Sequence, residues 1–274
     1  CIKELDGEIP QIEQKLVLST FLSPDETTSQ VSVTISRPYY KKSDVEIRKQ
    51  LKDAVVVVSN GALNDTLSFD VLKDRFVFNS QKFNIEPGKT YTVSAEASGK
   101  RVSGSTTVPM QTALNPELSG KFLKQEGGSV FDFEQYVFRA VTKWDDQANE
   151  KNFYRVSGQC LITRKLQSQV VTDTAELYFS KAFAVLNDFD KDGTRISYSS
   201  SDSYISYGEE GELLAKELRL NLYVTDEAYY QYHNSVNGAM DESPFKEPAV
   251  VYTNVKGGLG VVSSYRKTEL KLAL

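Results

Sequence analysis

Between Lys216 and Val224, the residues Leu218, Leu220, Leu222 and Val224 alternate with Glu217, Arg219, Asn221 and Tyr223. A period of two puts the first set on one face of a β-strand and the second on the other; a helix, with 3.6 residues per turn, would scatter them. The same rhythm recurs along the chain: Val31, Val33 and Ile35; Tyr91, Val93 and Ala95; Phe131 and Phe133 and then, one residue out of phase, Tyr136 and Phe138; Tyr154, Val156, Gly158 and Cys160. Turn-forming pairs such as Pro24-Asp25, Asn60-Gly61 and Pro87-Gly88 punctuate these runs. The pattern predicts an all-β (mainly β) protein with one short helix. That helix is expected to start at Thr225 as N-cap, with Asp226 and Glu227 in its first turn, and to stop near Asn237-Gly238.

Three segments follow from the spacing. Residues 1–13 are short, acidic and broken by Pro10, as suits a tether. Residues 14–110 hold about seven short strands with frequent turn signals, the signature of an immunoglobulin-like β-sandwich. Thr112 to Pro116, rich in small and turn residues, marks a boundary, and residues 111–274 are expected to form a second β-rich, sandwich- or barrel-like domain. No apolar run approaches the roughly 20 residues needed for a membrane-spanning helix.

Composition removes several functions. With 32 Lys+Arg against 37 Asp+Glu, the net charge of −5 argues against nucleic acid as a partner. One His and two Cys cannot supply the N/S ligands of a usual zinc site. A Ser-His-Asp enzyme would need His233, but no Gly-x-Ser-x-Gly elbow is present. The acidic pairs Asp145-Asp146 and Glu209-Glu210 could serve a glycosidase, yet neighbours on a strand face opposite ways and both pairs read as loops. Cys160 reads as small core filler. Gly257-Gly258-Leu259-Gly260 lacks the Lys-Ser/Thr of a phosphate loop and reads as a turn needing positive φ.

Two motifs hold more specific chemistry. Asp188-Phe189-Asp190-Lys191-Asp192-Gly193 begins as an EF-hand loop does, so Asp188, Asp190 and Asp192 are candidate calcium ligands. The twelfth position is Ser199 rather than Glu, and an Asp-Gly hairpin turn accounts for the same residues. In the Tyr/Ser stretch from Ser197 to Tyr207, Tyr198, Tyr204 and Tyr207 form either a partner- or ligand-binding loop or an ordinary polar edge or disordered loop. At the other end of the chain, a Cys at position 1 is what lipoprotein signal peptidase leaves at a mature N-terminus, which makes Cys1 the expected lipid-attachment site and the protein anchored rather than spanning.

The order Thr225-Asp226-Glu227-Ala228-Tyr229-Tyr230, Ser243-Pro244-Phe245-Lys246-Glu247-Pro248 and Asn254-Val255-Lys256-Gly257-Gly258-Leu259-Gly260 resembles the C-terminal signature of a Bacteroidetes lipoprotein family, domain of unknown function 4249. The Asp53-Ala54-Val55-Val56-Val57 strand and the Pro87-Gly88-Lys89-Thr90-Tyr91 entry fit it in the expected order. The resemblance implies a lipid-anchored outer-membrane protein, facing the cell surface and associated with a TonB-dependent receptor, without assigned activity. The expected function is thus a non-catalytic accessory component that binds a small molecule, peptide or glycan, or another protein. An Asp/Glu-dependent surface hydrolase and an adhesin- or fimbria-like subunit are the alternatives.

Overall fold

A computed structural model of the chain describes residues 13–36, 49–79, 84–124, 134–166, 168–207, 212–240 and 250–274. Cys1 and the acidic residues after it lie outside the described residues, as does the Ser243 to Pro248 motif. The fold is mainly β, with several sheets and, among the described residues, one helix and no closed barrel.

Strands β1 (Leu16–Leu22), β2 (Thr28–Ile35), β3 (Val55–Ser59), β4 (Asn64–Thr66), β5 (Ser68–Asp70), β6 (Arg75–Asn79), β7 (Thr90–Ala97) and β8 (Lys100–Thr107) come first. Strands β9 (Leu114–Lys124), β10 (Glu134–Asp145), β11 (Phe153–Leu166), β12 (Gln169–Glu176), β13 (Ala184–Asn187), β14 (Arg195–Ser199), β15 (Ser203–Tyr207) and β16 (Glu212–Thr225) follow. Helix α1 (Glu227–Ala239) and the long strand β17 (Leu259–Ala273) complete the chain.

A nine-stranded sheet, ordered β12-β11-β16-β17-β1-β2-β6-β5 with β13 also paired to β11, runs through both halves of the sequence. Each half of it is covered by its own four-stranded sheet. The sheet β4-β3-β7-β8 closes on the β1, β2 and β6 side, enclosing Leu18, Leu22, Val31, Val33, Val56, Phe76, Tyr91 and Val93. The sheet built on β10, with β9 along one edge and β14 and β15 along the other, covers β11 and β16, enclosing Phe138, Trp144, Tyr154, Ile162, Leu218 and Leu220. Alternation decides these faces: β1 reads buried and half-buried in strict turn, and Leu218, Leu220 and Leu222 are all buried.

The two sandwiches share a strand. From Leu259 to Ser264, β17 lies parallel to β1, with Val17 opposite Leu259 and Leu22 opposite Ser264. From Tyr265 to Ala273 it lies antiparallel to β16. The first core therefore includes Val255 and Val262 from the far end of the chain, and residues 14–110 do not supply it alone.

The segment Asn254 to Gly260 makes this return possible. Lys256 exchanges two backbone hydrogen bonds with Ser103 on β8. The Asn254 side chain accepts from the Val262 N–H at 2.9 Å and donates to the Val262 carbonyl at 2.7 Å, imitating one step of a β-ladder. At Gly260, φ is +113°, and a Cβ there would sit 2.0 Å from the Leu18 carbonyl oxygen. Only glycine lets the backbone come this close in that conformation.

Candidate functional site

Loop residues 146–152 and the turn 188–194 meet through three carboxylates. Oxygens of Asp146, Asp188 and Asp192 all lie within 4.8 Å of one another. Asp146 and Asp188 are buried, and Asp192 is exposed. Asp146 accepts from the Tyr154 hydroxyl at 2.6 Å and from the Gly193 N–H at 2.8 Å. Asp188 accepts from the Asn152 N–H at 2.8 Å, and Asp192 from the Asn149 N–H at 2.8 Å. Among the described residues, neither buried carboxylate has an ion-pair partner.

Of the candidate calcium ligands, Asp188 and Asp192 thus come together, while Asp190 is exposed and outside the group. Asp146, read from the sequence as a solvated loop acid, takes the third position. Hard cations such as Ca²⁺ take six to eight oxygens at about 2.3–2.6 Å, so three monodentate carboxylates could hold one only with added carbonyls or water. What the geometry shows directly is a clasp between two loops. Asp146→Ala leaves two donors without their acceptor and is expected to cost about 2–4 kcal/mol, whereas Asp190→Ala should stay within about 0.5 kcal/mol. Urea unfolding of the two variants measures the contrast.

The clasped loop separates two adjoining clefts. One, of about 510 Å³, lies where the chain passes between the sandwiches and is lined by Met110 to Leu114, Glu150, Lys151, Asp226 and Glu227. The other, of about 440 Å³, is lined by Glu150, Phe153, Asp188, Phe189, Glu227 and Tyr230. Carboxylates outnumber Lys151 in both. Phe189 stands 86% exposed at the second cleft, and Phe153 and Tyr230 meet there with ring centroids 5.2 Å apart.

Other candidate residues are engaged in structure. The stretch Ser197 to Tyr207 is not a loop: β14 and β15 run along one edge of β10, interrupted where Ser200 exchanges bonds with Ala140. Tyr198 turns inward and stacks on Phe179 at 5.7 Å, while Tyr204 is 54% exposed, so the two do not share a surface. Of Tyr207, the described position is its backbone, opposite Glu134. Cys160 is buried, and burial pushes its thiol up to about 11. Asp145 bonds to Asn115 and Arg195, which hold its carboxyl below the usual range. Glu209-Glu210 lie outside the described residues.

The Tyr-rich helix is a bolt between the sandwiches. Its N-cap is Asp226, one residue later than the sequence pattern indicates, because the Asp226 side chain accepts from the Tyr229 N–H at 2.8 Å. Asp226 also accepts from Thr106 of β8, and its N–H reaches the Ser264 carbonyl of β17 at 3.1 Å. Desolvation raises its carboxyl to about 6. His233 is buried between Tyr229, Phe21 and Phe183, with ring centroids at 4.2, 5.2 and 4.8 Å, and burial lowers its imidazole to about 4. Arg155 donates to the Tyr229 hydroxyl and lies over the rings of Phe183 and Tyr223.

These two buried groups act on stability in opposite directions. An acid whose folded pKa is raised contributes stability below its unfolded pKa and loses it as pH rises through about 6. A base whose folded pKa is lowered contributes above its unfolded pKa and loses it as pH falls through about 4. Between pH 7 and 4.5 the terms nearly cancel, at roughly 2 kcal/mol each. His233→Phe removes one side, so the stability of the variant relative to the parent should rise by about 2 kcal/mol over that interval in urea unfolding.

Comparison with known proteins adds one match. No curated protein matches the chain. Residues 2–271 match the family described as Domain of unknown function (DUF4249), and because that span is nearly the whole sequence, the chain belongs to that family.

Proposed function

We propose that the protein is a non-catalytic binding component, held at the outer membrane by lipid on Cys1, that serves as an accessory to a TonB-dependent uptake or surface assembly. The observation that carries the binding role is the pair of acidic clefts on either side of loop 146–152, one of them at the passage between the sandwiches. Concave sites with a few convergent polar groups are the usual places for ligands and partners. The loop between them is fixed by the Asp146, Asp188 and Asp192 clasp, so its shape exists before any partner arrives. The non-catalytic part is supported by the engagement of His233 and Cys160 in the packed interior. The outer-membrane address draws on the family resemblance, and no described helix is long and apolar enough to cross a membrane.

The lining favours a partner that presents positive charge. Affinity isolation of the full-length protein from native membranes should recover an envelope receptor or surface protein. Charge reversal at Glu150 and Glu227 should abolish that recovery, and added salt should weaken it. Repeated isolation without any envelope partner, or recovery unchanged by the reversals, would contradict the role. Strand exchange between copies would instead favour the fimbria-like reading.

A further inference from the structure

The end of the first sandwich at which the described chain begins holds an exposed apolar point. Strand register places it. Leu16 of β1 lies opposite Ile35 of β2, and Val31 of β2 lies opposite Phe76 of β6. The start of β6 therefore points the same way as the end of β2 and the start of β1. The β5–β6 hairpin, residues 71–74, projects from that end. The β7–β8 hairpin is there too, since Lys100 bonds to the Glu13 carboxylate at 2.7 Å and to the Gln14 carbonyl at 2.9 Å.

At the tip of the β5–β6 hairpin, Leu72 is 99% exposed and Val71 is 72% exposed. This exposure is built, not slack: the Asp70 carboxylate accepts from the Leu72 N–H at 2.9 Å and the Lys73 N–H at 3.1 Å, which fixes the turn and points both apolar side chains outward. Folding gains nothing from a leucine held wholly in water. Among the described residues the exposed charges at this end are mostly positive, Lys15, Lys49, Lys52, Lys73, Lys100 and Arg101 against Glu13, Asp53 and Glu96, which suits an approach to a lipid headgroup surface beside the apolar tip.

Twelve residues precede Glu13 in the sequence, and a fully extended chain of that length spans at most about 40 Å. Any lipid on Cys1 therefore keeps this end of the molecule within one short tether of the bilayer. We infer that the β5–β6 hairpin is a membrane-contact point, with Val71 and Leu72 entering the headgroup region of the bilayer that anchors the chain. The inference rests on the anchor at Cys1 proposed above for its orientation. Together, tether and tip give two attachment points, which restrict how the molecule tilts on the membrane.

The test separates the contact from the anchor. Full-length protein with Cys1→Ser and an N-terminal histidine tag is bound to phosphatidylcholine vesicles containing a nickel-chelating lipid, so that tethering does not depend on native acylation. An environment-sensitive nitrobenzoxadiazole dye is attached at Leu72→Cys or, as a control, at Met110→Cys. Met110 is 66% exposed and lies past the opposite end of β8, which begins at Lys100 and ends at Thr107. Cys160, being buried, stays unlabelled under native conditions.

The expected result is a blue shift and at least twofold quenching by spin-labelled lipid at position 72, with neither at position 110. Adding anionic lipid should strengthen the signal at position 72, because the exposed charges around the tip are mostly basic. Equal, unquenched emission from both positions on tethered protein would overturn the contact. Mass spectrometry of the N-terminal peptide from native membranes reads the anchor separately: an unmodified Cys1 would overturn the anchor while leaving the vesicle result to stand or fall by itself.

Discussion

A chain ended after residue 249 should fail to fold in either half, although everything it loses lies at the C-terminus. Strand β17 is interior to the nine-stranded sheet, and its removal leaves β1 and β16 both unpaired along one edge. It also takes away Val255, Val261 and Val262, all buried, from the first sandwich and its edge. Each buried valine contributes roughly 1.5–3 kcal/mol, which with the lost strand pairing approaches the 5–15 kcal/mol that stabilises a typical domain. By the same reasoning, residues 14–110 alone should be unfolded or aggregated, because an open strand edge in mid-sheet invites association. Adding a peptide of residues 250–274 in trans should restore dispersed amide resonances and protease resistance to that fragment. A fragment 14–110 that is folded and monomeric without the peptide would show the first sandwich to be independent.

Replacing Gly260 should be nearly as damaging as removing the strand. An added methyl would fall 2.0 Å from the Leu18 carbonyl oxygen, and φ of +113° is outside what L-residues adopt comfortably. The two strands must separate, and with them the ladder from Val17 to Leu22. We expect Gly260→Ala to cost at least about 4 kcal/mol and Gly260→Val to yield no folded protein. Gly99 is the control: its φ is +71°, but a Cβ there meets nothing within 4 Å, so Gly99→Ala should cost only about 1–2 kcal/mol. Chemical unfolding of the two alanine variants separates a steric requirement for the parallel pairing from the general preference of glycine for positive φ.

The same geometry gives the Asn254 to Gly260 segment, the most specific part of the signature, a structural role. Each of its constrained positions serves the return of the chain to the first sandwich: Asn254 pairs with Val262, Lys256 bridges to Ser103, and Gly260 passes over Leu18.

Local rhythm made the strands legible and their partners illegible. Period-two alternation identified β2, β7 and β16 and the buried face of β11, including Cys160, because which face is buried depends only on neighbouring residues. It could not show that β17 joins β1, since alternation is the same whichever strand lies alongside. Residues 175–185 hold the end of β12, a connection and the start of β13, and the two strand ends are set by pairing with β11 rather than by alternation. The same limit applied to the acids. Asp188 and Asp192 were visible as neighbours in a turn, whereas Asp146 joins them only because the β10–β11 loop folds onto that turn. Gly193 has the positive φ, +66°, that an Asp-Gly turn requires, but the turn is not the hairpin expected: it joins β13, paired with β11, to β14, paired with β10, in different sheets.

Hydrogen exchange under native conditions tests the shared strand most directly. If β17 joins both sandwiches into one cooperative unit, the amides of Leu18 and Thr20 in β1 and of Leu220 and Leu222 in β16 should exchange through the same global opening, with equal free energies and equal denaturant dependence. Protection in β1 that is lost well before protection in β16, or the reverse, would mean that the two halves open separately and would contradict the account.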